Sequence, residues 1–383
     1  MHPRRVRKVA FALGLALLAW SVQVVRADAN ARKWLAGDEA IAGELARTQM
    51  AFEAKDDESR RSPSGDRFAG EWALVTHQMT ALGLAQIALA HPEERECLAP
   101  EITRAARKSF LPEMRGFGTD AWRGEDVMAS LAGSHGHAYM AYPALALGMA
   151  RLMDPSFPPQ LARQHDALIE AFERRLLASP SGLIETYPGE AYPTDTAAVA
   201  AAIAVHGRVT HANHAPVLAH WASLVRKVQI DPASGYVFQR MGARDSRAHD
   251  APRGSGTGLA AYFAGFADRN LARDLAAALM RHESKVMLYS AIDEYAAGHS
   301  GTGDVDSGPT LFGVSVAATG FALGAARAYG YEAAFERLYR TTELFGAPVA
   351  FGGTRRFLTG GAIGNALLLA MLTSGPERAP TSD

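Results

Sequence analysis

Between Glu185 and Asp195 the chain reads ETYPGEAYPTD, which crowds three carboxylates and two tyrosines into one short segment. Its two prolines and its glycine rule out a helix, so the segment is extended or turned. Glu185 follows the apolar approach Gly182-Leu183-Ile184. A carboxyl in a partly dry wall holds its proton more tightly, as a general acid must. Tyr187 and Tyr192 offer flat faces on which a sugar or another partly apolar ligand stacks, and Glu190 between them offers a hydrogen-bond acceptor. Asp195, directly before the apolar stretch that begins at Thr196, reads as a helix cap.

A second acidic loop is Gly303-Asp304-Val305-Asp306-Ser307-Gly308-Pro309. Asp306 or Ser307 suffices to cap the helix expected to follow, which leaves Asp304 for catalysis or ligand binding, with Asp306 also facing a ligand. Asp120 in GFGTD is a third acid in a glycine-rich loop. Glu125 and Asp126 fit the first turn of a helix. Near the start, Asp66, Glu71 and Trp72 repeat the pattern of acid, glycine and aromatic. His135 and His137 do not share a helix face, which argues against a metal pair, while His137 and Tyr139 sit where the expected helix bends at Gly136. His211 and His214 read as surface residues of a polar turn. Arg253 before Gly254-Ser255-Gly256 is placed to clamp an anion. The chain carries no Gly-rich phosphate loop, dinucleotide fingerprint, zinc motif or nucleophile elbow, so no metal and no cofactor is expected.

These loops need a scaffold. Apolar residues at three- and four-residue spacing predict helices near 37–55, 69–90, 98–109, 125–153, 157–178, 194–207, 213–228, 256–267, 270–284, 310–329, 331–343 and 359–373. Two kinds alternate. Thr196 to Val205 is apolar all round, as an inner helix must be, whereas Leu161 to Leu177 carries Arg163, Asp166, Glu170, Glu173 and Arg174 on one face. This alternation predicts an all-α fold, an (α/α)6 toroid of six helical hairpins around a funnel, like that of the six-hairpin glycosidases.

At the N-terminus, Arg4, Arg5, Arg7 and Lys8 precede the uncharged run Val9 to Val25, and small residues follow at Ala27 and Ala29. That is the layout of a secretory signal. The alternative is an uncleaved membrane anchor over 9–25, since about 17 apolar residues can just span a bilayer. The expected organisation is a signal over 1–29, one toroid domain over 30–375 and a disordered tail over 376–383, in a periplasmic or secreted protein. Lys plus Arg number 39 against 40 Asp plus Glu, which leaves no field to attract nucleic acid. Cys97 is the one cysteine, so no internal disulfide forms.

Over roughly 70–330 the chain resembles the bacterial linalool dehydratase/isomerase family. The resemblance rests on Gly116-Phe117-Gly118-Thr119-Asp120 with Glu125, on Gly136-His137 and on Gly182-Leu183-Ile184. It continues through Ile230-Asp231-Pro232 before Gly235 to Gly301-Thr302-Gly303-Asp304 with Asp306 and Gly308. It implies an (α/α)6 toroid with His137 in the active site. The family's two loop cysteines fall at Glu185 and Thr194 when read without gaps from Gly182. The residues by themselves point to an acid–base enzyme with Glu185 as proton donor and Asp304 or Asp120 opposite. Paired carboxylates of that kind cleave a glycosidic bond, which is the first expectation for the substrate class, an oligosaccharide. They equally remove water from a small alcohol, as the family does. A non-enzymatic, glycan-binding periplasmic module is the third reading.

Overall fold

The computed structural model describes residues 3–54, 67–133, 136–304, 307–308 and 310–375. Asp66, His135, Asp306 and the tail 376–383 lie outside them. Helices α1 (Pro3–Ala36) and α2 (Glu39–Glu53) open the chain. They are followed by α3 (Arg67–Ala90), α4 (Arg95–Ser109), α5 (Pro112–Ala121), α6 (Ala141–Met153) and α7 (Pro159–Ala178). Next come α8 (Pro193–Thr210), α9 (Ala215–Leu224), α10 (Gly254–Ala267) and α11 (Arg269–Arg281). The last are α12 (Val316–Ala328), α13 (Glu332–Gly346) and α14 (Gly361–Leu372). The fold is predominantly helical, as the apolar spacing predicts.

The helices pack in a cyclic order. α3 lies against α6, α6 against α8, α8 against α10, α10 against α12, α12 against α14, and α14 returns to α3. Outside this circuit α4 spans α3 and α6, α7 spans α6 and α8, α11 spans α10 and α12, and α2 spans α14 and α3. The two layers follow from the sequence pattern. α8 is buried without interruption from Thr196 to His206, whereas α7 buries only a stripe that includes Leu168, Ile169, Phe172 and Leu176. Ala69–Ala90 in α3 is long and apolar enough to cross a membrane, but most of it is buried inside the protein, as a core helix would be.

Glycines set how close the inner helices come. A Cβ on Gly83 of α3 would lie 2.6 Å from Leu369 of α14, and one on Gly324 of α12 would lie 2.8 Å from Met371 of α14. At Gly258 of α10 the obstacle is Phe321 of α12 at 2.7 Å, and at Gly148 of α6 it is Val205 of α8 at 3.0 Å. Heavy atoms at these separations overlap, so the seams close only because no side chain stands there.

Short antiparallel strands, which the sequence pattern did not announce, fill the loops. β1 (Glu185–Tyr187) pairs with β2 (Glu190–Ala191). β3 (Glu283–Val286), β4 (Tyr289–Asp293), β5 (Thr310–Leu311) and β6 (Val314–Ser315) form a sheet in the order β3-β4-β6-β5. β7 (Pro348–Phe351) and β8 (Thr354–Phe357) make a separate hairpin.

Several expectations are corrected. The helix expected over 310–329 begins only at Val316, because Gly313 with φ 88° turns β5 back on β6. The helix expected over 125–153 is broken by Gly136 and by His137, whose φ of 63° is left-handed, and α6 starts at Ala141. GFGTD is not a loop but part of α5, and its Gly118 makes room for Tyr139, whose ring a Cβ would meet at 2.1 Å. Arg253 and Gly254 likewise open α10 rather than forming a separate loop. Cys97 lies exposed in the first turn of α4. His214 is buried, bonded to His206 at 2.9 Å and to Glu173 at 2.6 Å, while His211 is exposed.

The N-terminal helix runs unbroken through both expected cleavage points. From Val24 onward it packs on α13, burying Ala27, Ala31 and Trp34.

The seam glycines give an opposed pair of stability outcomes. Gly83→Ala gains up to about 1 kcal/mol of helix propensity but overpacks a seam at a cost of about 1–3 kcal/mol, so its midpoint in urea falls. Gly364→Ala, also inside a helix but with nothing within 4 Å of the added Cβ, takes the gain alone, and its midpoint rises.

Candidate active site

The acid at the heart of the site is set by a turn and a strand. Gly182, with φ 67°, reverses the chain after α7, and Gln229 Nε2 donates to Ser181 O at 2.9 Å to hold the reversal. Ile184 N then donates to Thr196 Oγ1 at 3.2 Å, which ties the start of the long loop to α8. The β1–β2 hairpin follows, turned by Gly189 with φ 80°. Pro193 occupies the first turn of α8, where its missing N–H costs nothing. Thr194 and Asp195 come next.

Asp195 does not cap the helix. Its Oδ1 accepts from Tyr142 Oη of α6 at 2.7 Å, and its Oδ2 accepts from Thr186 Oγ1 of β1. Burial raises its pKa, and the two hydroxyl bonds only partly oppose that rise. Asp195, Tyr142 and Thr194 line a cavity of about 970 Å³, together with Glu71, Trp72, Tyr187, Tyr192, Gln239, Ser255 and Ser315. Tyr187 Oη donates to Glu71 Oε2 at 3.1 Å, so a second carboxylate stands on the same wall. Among the described residues Gln239 Oε1 has no hydrogen-bond partner, which leaves an acceptor for a ligand. Most of the remaining lining is hydrocarbon, including Leu259, Phe321, Ile363, Leu367, Leu368 and Met371.

An aromatic layer braces this wall. Trp122 Nε1 donates to Thr186 O at 3.0 Å and its ring stacks on His137 at 4.6 Å between centroids. Tyr139 stacks on Tyr187 at 6.3 Å and meets Phe117 at 5.4 Å. Arg175, buried on α7, donates to the carbonyls of Ser130, Gly133 and Gly136, fastening the segment that leads to His137.

Of the residues singled out from the sequence, Trp72, Tyr187 and Tyr192 border the cavity. His137 and Tyr139 are buried in the supporting layer behind it. Glu185 is half-buried in β1 and is not among the lining residues, because the pairing register shifts between Glu185 and Tyr187 and so re-aims the strand. Glu190 accepts from Tyr192 Oη at 2.9 Å; burial, reinforced by Glu190, raises the Tyr192 pKa. Asp304 is exposed; it pairs with Arg253 and accepts from Ser307 N at 2.9 Å, so it organises its own loop. Arg253 also holds Asp250 at 2.6 Å, which makes it a partner of carboxylates rather than a clamp on an open anion site. Asp120 is exposed at the end of α5, and Asp126 caps the short turn at Val127 while pairing with Arg115 at 2.9 Å. Asp306 lies outside the described residues.

Two acids differ from the expectation. Asp195, expected as a cap, is set apart from that role only by its three-dimensional partners. Glu294, fully buried, accepts from Ser255 Oγ at 2.6 Å beside the cavity wall, and burial raises its pKa as well. Nothing in the sequence around Glu294 marks it. Among the described residues Glu39, His91 and Glu93 could share a cation, but both carboxylates are exposed and none of the three lines the cavity. The chain matches no known family model, and no curated protein matches it.

Asp195 gives a pH signature. A carboxyl whose folded pKa is raised favours folding below its ordinary pKa and costs stability as pH rises through the folded value. Asp195→Asn removes that cost and keeps a polar partner for both hydroxyls. Its melting temperature should match the wild type near pH 4 and exceed it near pH 8, in calorimetric scans of the two proteins.

Proposed function

We propose that the cyclic packing order is the (α/α)6 toroid expected from the sequence, that the cavity is its funnel, and that the funnel holds an acid–base lyase or isomerase acting on a largely hydrocarbon alcohol. The observation that carries this reading is an acid with a raised pKa on the wall of a mostly apolar cavity. A polyhydroxylated glycan would leave many hydroxyls facing hydrocarbon there, each at a cost. A branched alcohol would bury its carbon skeleton favourably and offer its one hydroxyl to the polar wall.

In this mechanism the uncharged Asp195 carboxyl protonates the substrate hydroxyl, and the C–O bond breaks to release water. The carbon left electron-poor is best a tertiary or allylic centre, and the ring faces of Tyr142 and Tyr187 attract its charge. Glu71, oriented by Tyr187, removes a proton from the neighbouring carbon to leave an alkene, and solvent returns both acids to their starting states. Tyr142 and Thr186 steady the Asp195 carboxylate while it is charged, so the acid is strong enough to give its proton up. The family resemblance supports the same class of reaction. The basic start and the apolar run at the N-terminus support export from the cytoplasm.

A glycan-active hydrolase remains the second reading, favoured by the presence of Trp72, Tyr187 and Tyr192 among the residues that line the cavity. One screen separates the two, with wild type and Asp195→Asn incubated with tertiary and allylic alcohols and with oligosaccharides. Alkene formation detected by gas chromatography is expected for wild type, and a loss of about 10²–10⁴-fold in kcat for the variant, with KM little changed. Equal turnover by the variant removes Asp195 from the mechanism, and release of reducing sugar establishes the hydrolase. Ligand binding without turnover in either protein establishes the binding module instead.

A further inference from the structure

The rim of the cavity is apolar in a way that water does not favour. Val286, Leu311, Phe312, Val316, Leu344 and Phe345 all line the cavity, and all stand out into solvent, Phe312 fully so. They come from the tips of two hairpins, from the start of α12 and from the end of α13. Exposed apolar side chains are ordinary when scattered, but a contiguous set around one opening marks a surface that docks.

The N-terminal helix joins that rim. Gln23 Oε1 accepts from Tyr289 Oη at 2.7 Å, and Tyr289 itself lines the cavity. Arg340 links the same places, donating to Asp28 Oδ1 and to Leu288 O. On the N-terminal side of Gln23 the helix carries Leu15, Leu17, Leu18 and Val22, all exposed and on more than one of its faces. The uncharged run from Val9 to Val25 has a helical length of about 25 Å, close to the hydrocarbon thickness of a bilayer. Arg4, Arg5, Arg7 and Lys8 precede it, the charge that suits anionic headgroups.

The helix is also built into the domain. Glu343 is buried, and its carboxylate accepts from Arg26 Nε at 2.7 Å and from Asn30 Nδ2 at 3.0 Å. Trp34 Nε1 donates to Tyr339 Oη at 3.2 Å. Cleavage after Ala27 or Ala29 would take Arg26 away and leave a buried carboxylate short of its cation.

We propose that α1 is retained as a membrane anchor and that the apolar rim of the cavity rests on the same phospholipid bilayer. The last turn of the apolar run holds Gln23, where the rim begins, so a helix held in the lipid delivers the cavity mouth to the lipid surface. An apolar ligand then passes between bilayer and cavity without crossing water. The placement stands on the rim and the helix alone, whatever chemistry the cavity performs.

The test uses the full chain recovered from a membrane fraction. Its intact mass should include Arg26; a chain beginning at Asp28 or Asn30 overturns the proposal. Phe312→Trp and, as a control, Leu177→Trp at an exposed site on α7 away from the lining residues are then placed in vesicles of phosphatidylglycerol and brominated phosphatidylcholine. Read as the difference from the parent protein, whose own Trp20 lies in the anchor, the emission added at position 312 should be mostly lost relative to unbrominated vesicles, and the emission added at 177 should be unchanged. Equal brightness of the first in both lipids, or quenching of both, overturns the proposal. So does shielding of the first without lipid, in a dimer that forms as concentration rises, because the rim then belongs to a second copy. No substrate is present, so the result does not depend on the reaction proposed for the cavity.

Discussion

The absence of side chains at the helix seams is the constraint on which the rest depends. Gly83, Gly148, Gly258 and Gly324 let neighbouring helices approach until other residues fill the space a Cβ would need. Helices that meet this closely can return on themselves in a short circuit. A looser circuit would widen the space inside, and a wider cavity could not seat Tyr142 of α6 against Asp195 of α8 at hydrogen-bond distance. Interior packing at crystal-like density transmits that requirement from seam to site. The chemistry therefore rests on residues that carry no chemistry.

Asp195 shows how a fold bears a cost where it works. Two hydroxyls and a helix N-terminus favour its charged form, yet burial outweighs them and raises its pKa. Conflicts of this kind between local stability and placement are expected at functional sites and few other places. Glu294, behind the cavity wall, repeats the arrangement with Ser255, and burial raises its pKa in the same direction.

Much of the scaffold was legible in advance, because helical periodicity is written in every turn. The uninterrupted burial of α8 and the one-sided burial of α7 both follow directly from their sequences. The loops were less so. ETYPGEAYPTD does border the cavity through Tyr187, Tyr192, Thr194 and Asp195, but how its three acids would be placed was not visible. A register shift in a strand of three residues moved Glu185 off the wall, and no sequence pattern encodes it. Asp304 looked idle in its loop because its partner, Arg253, lies 51 positions away. GFGTD suggested a flexible loop, although its glycine answers to the ring of Tyr139 rather than to a turn. Glycine in a sequence does not say whether it serves the backbone or a neighbour.

The outer layer also bears on the acid's setting. Arg175 grips the backbone at Gly136, next to His137; His137 lies flat on Trp122; Trp122 holds Thr186, and Thr186 holds Asp195. The stiffness of Asp195 is thus borrowed from a helix that contributes nothing to the cavity lining. Losing the grip of the buried Arg175 would surface as a loosened acid, a lesion felt at the cavity wall long before the fold itself gave way.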